Sequence, residues 1–167
     1  LYVADSGHAP YGSKPAGFIV QRSLAITEFL LEQGAKAVVA ACNTATAAAA
    51  EEIRAAVDVP VVAMEPGVKP AAALSQSGRI GVMATTRTVS SPRFQRLLDN
   101  HASHVEVIAQ ACPGLAEAIE THGPASAEVA TLLDCFVSPL VAAGVDVVAL
   151  GCSHYPWVAA AIAQRLP

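Results

Sequence analysis

The sequence predicts an α/β fold in which parallel sheets are flanked by helices and two lobes have a similar build. Short runs of β-branched residues alternate with Ala-rich or Leu-rich stretches of helical length, which is typical of βαβ units. The 167 residues are 53% hydrophobic and 14% charged, so the chain can bury a core and is not intrinsically disordered. A weak internal repeat aligns residues 34–44 with residues 144–154 without a gap, which favours two lobes.

Strands and helices are expected to alternate along the chain. The predicted strands lie near residues 1–4, 36–41, 59–63, 79–84, 104–109 and 146–150. The predicted helices lie near residues 14–33, 44–56, 67–76, 91–100, 114–121, 126–143 and 157–165. Gly34 supplies the stop after the first helix. Glu65-Pro66-Gly67 is expected to be a hinge, which divides the chain into lobes at residues 1–65 and 66–167.

Charge and hydropathy exclude two classes of partner. Ten Lys and Arg against fourteen Asp and Glu give a net charge of -4, so no broad basic face is expected to bind nucleic acid. The uncharged run from Val147 to Gln164 contains Gly151, His154 and Pro156, which are costly in lipid, so it predicts a strand, a loop and a helix rather than a membrane span. With no signal peptide recognised, we expect a cytoplasmic protein without membrane contact.

Four cysteines occur, and their spacing does not predict a metal site or a C-x-x-C pair. Cys112 and Cys135 are interpreted as small core residues. Cys42 and Cys152 each follow a predicted strand and precede a helix, at the edge of the sheet where α/β proteins bind ligands. The free N–H groups of a helix start favour a thiolate, so both thiols are expected to ionise near neutral pH.

Two thiols in facing lobes would suit one particular reaction. Cys42 and Cys152 on opposite sides of a cleft could remove a proton from one face of a carbon and return one to the other face, which is racemisation. His154 could hold or relay the proton of Cys152. The sequence has no G-x-G-x-x-G, no P-loop and no lysine in a pyridoxal setting, so no cofactor is expected. A redox-sensing thiol pair is an alternative, and it predicts reversible cross-linking of the two cysteines.

Several motifs resemble those of one enzyme family. Ala-Cys-Asn-Thr-Ala-Thr-Ala at 41–47 and Leu-Gly-Cys-Ser-His-Tyr-Pro at 150–156 closely resemble the two cysteine motifs of the glutamate racemases, in the aspartate/glutamate racemase superfamily. Residues 2–12 are similar to that family's strand and loop ending in Pro-Tyr-Gly, and residues 81–89 to its strand followed by two threonines. Ala111-Cys112-Pro113, with Glu120 eight residues after the cysteine, is similar to a further segment.

The resemblance implies a function and a set of site residues. It implies cofactor-independent interconversion of L- and D-glutamate for peptidoglycan synthesis, with Cys42 and Cys152 as acid and base and His154 assisting Cys152. Glu120 is a further candidate for assistance. The implied substrate-binding residues are Tyr11, Gly12, Asn43, Thr44, Thr85, Thr88, Ser153 and His154. Glutamate is thus the expected small-molecule partner, and a homodimer is a candidate assembly.

Departures from the family pattern also carry expectations. The family's first strand and its Asp-Ser loop would lie before Leu1, and elements that complete the first lobe would lie after Pro167. We therefore expect a fragment with an incomplete first lobe, an unpaired sheet edge and an uncovered apolar face, which is inactive and poorly stable alone. Asp5-Ser6-Gly7 imitates the missing Asp-Ser motif but belongs to a later loop, so it receives no catalytic role.

Three substitutions and two rival functions complete the sequence-based prediction. Ser153, His8 and Ala84 stand where the family usually has threonine, arginine and glycine. An aspartate or hydantoin racemase of the same superfamily is an alternative, although His154 favours glutamate because the aspartate enzymes tend to have an acidic residue there. A truncated relative that has lost the chemistry is the other alternative.

Overall fold

The computed structural model describes residues 1–166, which form two parallel β-sheets with helices around them. The first sheet pairs β1 (Val38–Ala40) with β2 (Val61–Ala63). The second sheet has the order β4-β3-β5, from β3 (Arg79–Ala84), β4 (Glu106–Ala111) and β5 (Val147–Gly151). Every pair of neighbouring strands is parallel, which confirms the predicted α/β class.

The helices follow the predicted order. They are α1 (Ala16–Glu32), α2 (Asn43–Ala56), α3 (Val68–Leu74), α4 (Thr86–Val89), α5 (Pro92–His101), α6 (Leu115–His122), α7 (Ala127–Ala142) and α8 (Ala159–Ala163). The short helix α4 was not predicted; it is capped by Thr85, whose hydroxyl oxygen accepts a hydrogen bond from the Thr88 N–H at 3.3 Å. The helix predicted at 157–165 is instead a 3-10 turn over Tyr155–Val158 followed by α8, with Pro156 in the first turn.

The second sheet is covered by helices on both faces. On one face Ile80 and Val82 pack with residues of α3 and α5. On the other face Met83 packs with residues of α6 and α7. Gly81 shares this face, and a Cβ at Gly81 would lie 3.1 Å from Leu140 of α7, so the missing side chain allows α7 to approach β3 closely.

The first sheet is only partly covered. Helices α1 and α2 pack together beside it, yet Val39 is 61% exposed and Val62 is 57% exposed. This matches the expected uncovered apolar face. The strand predicted at residues 1–4 is wrong: this segment pairs with no strand among residues 1–166, and Leu1 and Tyr2 are each 85% exposed. A short apolar run forms a strand only where a neighbouring strand completes its backbone hydrogen bonds.

The internal repeat is visible in the structure. Gly34 ends α1 with φ 84°, and Gly144 ends α7 with φ 69°, a backbone conformation that glycine adopts without strain. The Gly34 N–H donates to the Leu31 carbonyl at 2.8 Å, and the Gly144 N–H donates to the Val141 carbonyl at 2.9 Å. In both copies a strand and then a cysteine follow, so the two copies share the same local build.

Two cysteines outside the repeat differ in environment. Cys112 is 2% exposed and lies in the core, as predicted. Cys135 is exposed, so its assignment to the core is wrong. The buried residues of α7 include Leu133, Phe136 and Val137, and Cys135 lies on the other side of the helix.

None of the described helices is both long enough and apolar enough to cross a membrane.

Candidate active site

The predicted site residues lie where parallel strands end. Cys42 follows β1, Thr85 follows β3 and Cys152 follows β5, each at the carboxyl end of its strand. Cys42 is half-buried and caps the start of α2, and its Sγ accepts a hydrogen bond from the Ala45 N–H at 3.5 Å. Cys152 is only 7% exposed.

An open cleft of about 1270 Å³ collects five of the predicted site residues. Its lining includes Tyr11, Cys42, Glu120, Ser153 and His154. Typical small-molecule sites have volumes of roughly 300–1,000 Å³, so an amino acid would fill only part of this cleft. The cleft therefore brings one predicted thiol together with the two residues that follow the other thiol.

A chain of three side chains extends from Cys152. The Cys152 Sγ lies 3.7 Å from His154 Nδ1, and His154 Nε2 lies 2.7 Å from Glu120 Oε1. The carboxylate of Glu120 can only accept, so His154 donates its Nε2 proton and leaves Nδ1 free to accept from the thiol. Glu120 thus fixes the tautomer of His154 that suits proton uptake from Cys152.

Three threonine hydroxyls form a buried network beside the cleft. The Thr85 Oγ1 lies 2.9 Å from the Thr44 Oγ1 and 3.1 Å from the Thr88 Oγ1. Gly12 packs against this network, since a Cβ at Gly12 would lie 3.2 Å from the Thr85 Cγ2. The structure therefore brings Gly12, Thr44, Thr85 and Thr88 together, as sequence reasoning grouped them.

Asn43 lies outside the open cleft, at a cavity that the predicted substrate-binding residue Thr88 also lines. Its side chain is buried at 3% exposure. It lines a second, much smaller cavity, together with Arg93 of α5, rather than the open cleft.

The thiols do not have the lowered pKa expected from the sequence. Burial raises the pKa of Cys42, against the smaller lowering by the Ala45 and Thr44 N–H groups. The pKa of Cys152 is raised to about 11, mainly by burial and to a smaller extent by the charges of Cys42 and Glu117, against a lowering by the His154 N–H. Desolvation of the thiolates outweighs the favourable helix starts, so both thiols are neutral at neutral pH.

The loop that carries Tyr11 and Gly12 is anchored by ionic hydrogen bonds. The Arg22 Nη2 donates to Asp5 Oδ1 at 2.5 Å, and the Tyr11 hydroxyl donates to Asp5 Oδ2. The Arg22 guanidinium lowers the pKa of Asp5 to about 2. At the other end of the loop, Arg87 Nη2 donates to the Lys14 carbonyl at 2.7 Å. Asp5 is thus a structural anchor of this loop, in keeping with its exclusion from catalysis.

Sequence reasoning missed Glu117. It lies in the first turn of α6, and a Cβ at Gly12 would lie 3.7 Å from Glu117 Oε1. Its charge raises the pKa of Cys152. The sequence signal that could have identified Glu117 was its position three residues before Glu120, because residues three apart share a face of a helix.

Among residues 1–166, no three His, Cys, Asp or Glu side chains group closely enough to hold a metal ion.

The fold and the cleft define a class: a parallel α/β protein whose site lies at the strand ends and presents thiols and hydroxyls. The family model for Asp/Glu/Hydantoin racemase matches residues 2–167, and the chain belongs to this family.

Individual relatives agree with this assignment. The chain is 53% identical over 168 aligned residues to a glutamate racemase of Pseudomonas aeruginosa, covering 100% of this chain and 63% of that protein. It is 54% identical to a glutamate racemase of Ectopseudomonas mendocina, covering 64% of it. The chain therefore spans less than two thirds of the length of these relatives.

Solved structures share the fold. Glutamate racemase of Escherichia coli, in complex with L-glutamate and the activator UDP-MurNAc-Ala, matches with a TM-score of 0.83 and 31% identity. The match covers 96% of this chain and 61% of that one. Glutamate racemase of Francisella tularensis, in complex with D-glutamate, matches with a TM-score of 0.80 and 26% identity, covering 96% of this chain and 61% of that chain.

Proposed function

We propose that the protein to which this chain belongs interconverts L- and D-glutamate without a cofactor, using Cys42 and Cys152 as acid and base. The observation that carries the proposal is that Cys42 and His154, the neighbour of the Cys152 Sγ, line the same cleft. The glutamate racemases among its relatives, and the solved relatives holding L- or D-glutamate, support glutamate as substrate.

The chemistry requires one thiolate and one thiol at a time. The thiolate takes the Cα proton from one face of the substrate, and the opposite thiol donates its proton to the other face. The two cysteines then have exchanged protonation states, which suits the reverse direction. Because burial keeps both thiols neutral in this structure, one proton must first leave, and His154 Nδ1 is placed to accept it from Cys152.

The substrate's developing negative charge also needs stabilisation. Removal of a Cα proton places charge on the adjacent carboxylate, and preorganised donors aimed at that group lower the barrier. We propose that Tyr11, Gly12, Asn43, Thr44, Thr85, Thr88 and Ser153, together with His154, hold the carboxylates and the ammonium group. The Thr85 hydroxyl bonds to the Thr44 and Thr88 hydroxyls, so bound substrate would exchange these partners for its own oxygens.

Several broader features belong to the same proposal. We propose lobes at residues 1–65 and 66–167, with one sheet in each and the cleft between them. The D-glutamate would serve peptidoglycan synthesis, in the cytoplasm. A homodimer stays the candidate assembly, to be tested by sedimentation equilibrium.

The test uses this chain joined to the segments of the P. aeruginosa relative that lie outside the matched region, here called the extended chimera. Exchange of the glutamate Cα proton with deuterated water is followed by NMR, starting from either enantiomer. We expect exchange with formation of the opposite enantiomer in the chimera, and no formation of the opposite enantiomer in Cys42→Ala or Cys152→Ala, because each variant lacks the thiol that serves one face. Cys135→Ala is the matched control, because Cys135 is exposed on α7 and outside the cleft. Substantial turnover in either active-site variant would refute the two-thiol mechanism.

The same assay separates the rival functions. Faster exchange of aspartate or a hydantoin than of glutamate would identify another activity of the same family. Absence of exchange with every substrate would favour a non-catalytic relative. A redox role predicts a reversible Cys42–Cys152 cross-link under mild oxidant, whereas thiols that hold a substrate between them are too far apart to bond.

A further inference from the structure

Two residues that line the same small cavity each have a buried polar atom without a hydrogen-bond partner. Asn43 Oδ1 and Arg93 Nε are both buried, and neither has a partner within residues 1–166. The cavity that both residues line, between α2 and α5, has a volume of about 10 Å³. An unpaired buried acceptor or donor costs about 1–3 kcal/mol, so two in one place call for an explanation.

The two atoms are complementary in chemistry. An amide Oδ1 only accepts hydrogen bonds, and a guanidinium Nε–H only donates them. A water molecule can donate to the first and accept from the second. A cavity that holds one water needs roughly 10–15 Å³ by this measure, which matches the volume between α2 and α5.

Arg93 is held so that its Nε stays in this position. Its Nη1 donates to Glu51 Oε1 at 3.1 Å, and its Nη2 lies 2.7 Å from Glu65 Oε1. Glu51 lies on α2, eight residues after Asn43, and Glu65 lies in the segment after β2. Residues 43, 47 and 51 recur every four positions, so the face of α2 that lines the cavity at Asn43 and Ala47 also carries Glu51, which bonds to Arg93.

We propose that this cavity binds a single ordered water that joins Asn43 Oδ1 to Arg93 Nε, and that Arg93 is a positioning residue for Asn43. The water fixes the orientation of the Asn43 amide, with its oxygen toward Arg93, at the start of the helix that Cys42 caps. The water site stands on the structure alone. Its effect on substrate rests on the proposed function, in which Asn43 binds glutamate.

The first test is a crystal structure of the extended chimera at a resolution that shows ordered water. We expect one water within about 3.2 Å of both Asn43 Oδ1 and Arg93 Nε. An empty cavity, or a direct bond between the two side chains, would overturn the proposal. This result does not depend on whether the protein racemises glutamate.

The second test compares two Arg-to-Lys variants on α5. Arg93→Lys keeps the positive charge beside Glu51 and Glu65 but has no Nε donor. Arg96→Lys is the matched control, because Arg96 is exposed on the same helix. We expect Arg93→Lys to raise KM about tenfold with kcat changed less than twofold, since binding is weakened while the thiols are untouched. A fall in kcat with unchanged KM, or equal effects of the two variants, would contradict the assignment.

A double-mutant cycle shows whether Arg93 acts by positioning Asn43 or by stabilising the fold in general. If Arg93 acts through Asn43, Arg93→Lys should have no further effect on KM in an Asn43→Ala background. Additive effects would show that Arg93 supports the fold independently. If the water is present but the chimera does not exchange glutamate protons, the proposed function fails and the water site stands.

Discussion

The hydroxyl oxygens of Thr44 and Thr85 lie 2.9 Å apart, and this contact joins the start of α2 to the end of β3. It therefore connects the first sheet's helix with the second sheet at the edge where the site lies. Thr44 is 3% exposed and Thr85 is 5% exposed, so water cannot replace a lost partner. A buried polar link of this kind stabilises the structure only while every member is paired.

Thr85→Val tests that link. Valine has nearly the same shape but no hydroxyl, so it removes the partner of Thr44, the contact with Thr88 and the cap of α4. We expect a loss of about 2 kcal/mol in the free energy of unfolding, measured by urea titration of the extended chimera. Thr85→Ser keeps the hydroxyl and should lose less than half as much. Equal losses in the two variants would show that the methyl group, rather than the hydroxyl, matters.

Asp5→Asn tests the anchor of the Tyr11 loop. The Asp5 side chain is 8% exposed, and its pKa of about 2 lies below the ordinary value of 3.8. A lowered carboxyl pKa contributes stability above about pH 4 that is lost as the pH falls toward 2. We expect Asp5→Asn to lower the free energy of unfolding at pH 7 by about 2 kcal/mol, with the difference shrinking in that window. Asparagine tolerates the positive φ at this position, so the backbone is not strained. A difference that is constant from pH 7 to pH 2 would contradict this account.

The parts of the fold that sequence could predict are those set by local pattern. The alternation of apolar runs and helical stretches located β3 and β5, and glycines after α1 and α7 marked equivalent helix ends. The strand expected at residues 1–4 failed because strand formation depends on a neighbour that local sequence does not reveal. Cys135 was placed in the core from the Leu-rich composition of its helix, although its angular position on α7 decides its exposure.

The candidate site also combines features that local sequence predicts with features that only the packed structure decides. The two cysteine motifs indicated which residues gather at the strand ends, but not the balance of energies at each thiol. Helix starts favour a thiolate, whereas burial opposes it, and only the packed structure shows that burial dominates at Cys152. Likewise, the family resemblance predicts Asn43 as a binding residue, yet its place at a cavity that Arg93 also lines depends on how α2 packs against α5.

The raised thiol pKa of Cys152 predicts how stability depends on alkaline pH. Its value of about 11 exceeds the ordinary 9.0, so the unfolded chain releases this proton first as the pH rises. The contribution is fully present below pH 9 and is lost between pH 9 and pH 11, by about 1.4 kcal/mol per pH unit. Cys112, with a pKa of about 12, adds in the same direction.

Cys152→Ser isolates that contribution, because serine does not titrate in this range. Urea unfolding of the extended chimera from pH 8 to pH 11 should show a shallower decline for Cys152→Ser than for the parent. Cys135→Ser is the control, since that side chain is exposed. Identical slopes for the parent and Cys152→Ser would indicate that the thiol is not desolvated in the folded protein.

Gly151 sets how closely Cys152 approaches the rest of the site. A Cβ at Gly151 would lie 2.8 Å from the Ala84 Cβ and 3.1 Å from the Met83 carbonyl oxygen. Neither atom is the end of a flexible side chain, so Gly151→Ala must displace β5 from β3, next to Cys152. We expect a loss of about 1–3 kcal/mol in the free energy of unfolding and at least a tenfold loss of glutamate proton exchange in the extended chimera. Gly7→Ala is the matched control, because a Cβ there meets nothing within 4 Å. If Gly151→Ala is as stable and active as Gly7→Ala, the close approach of β5 to β3 does not position Cys152.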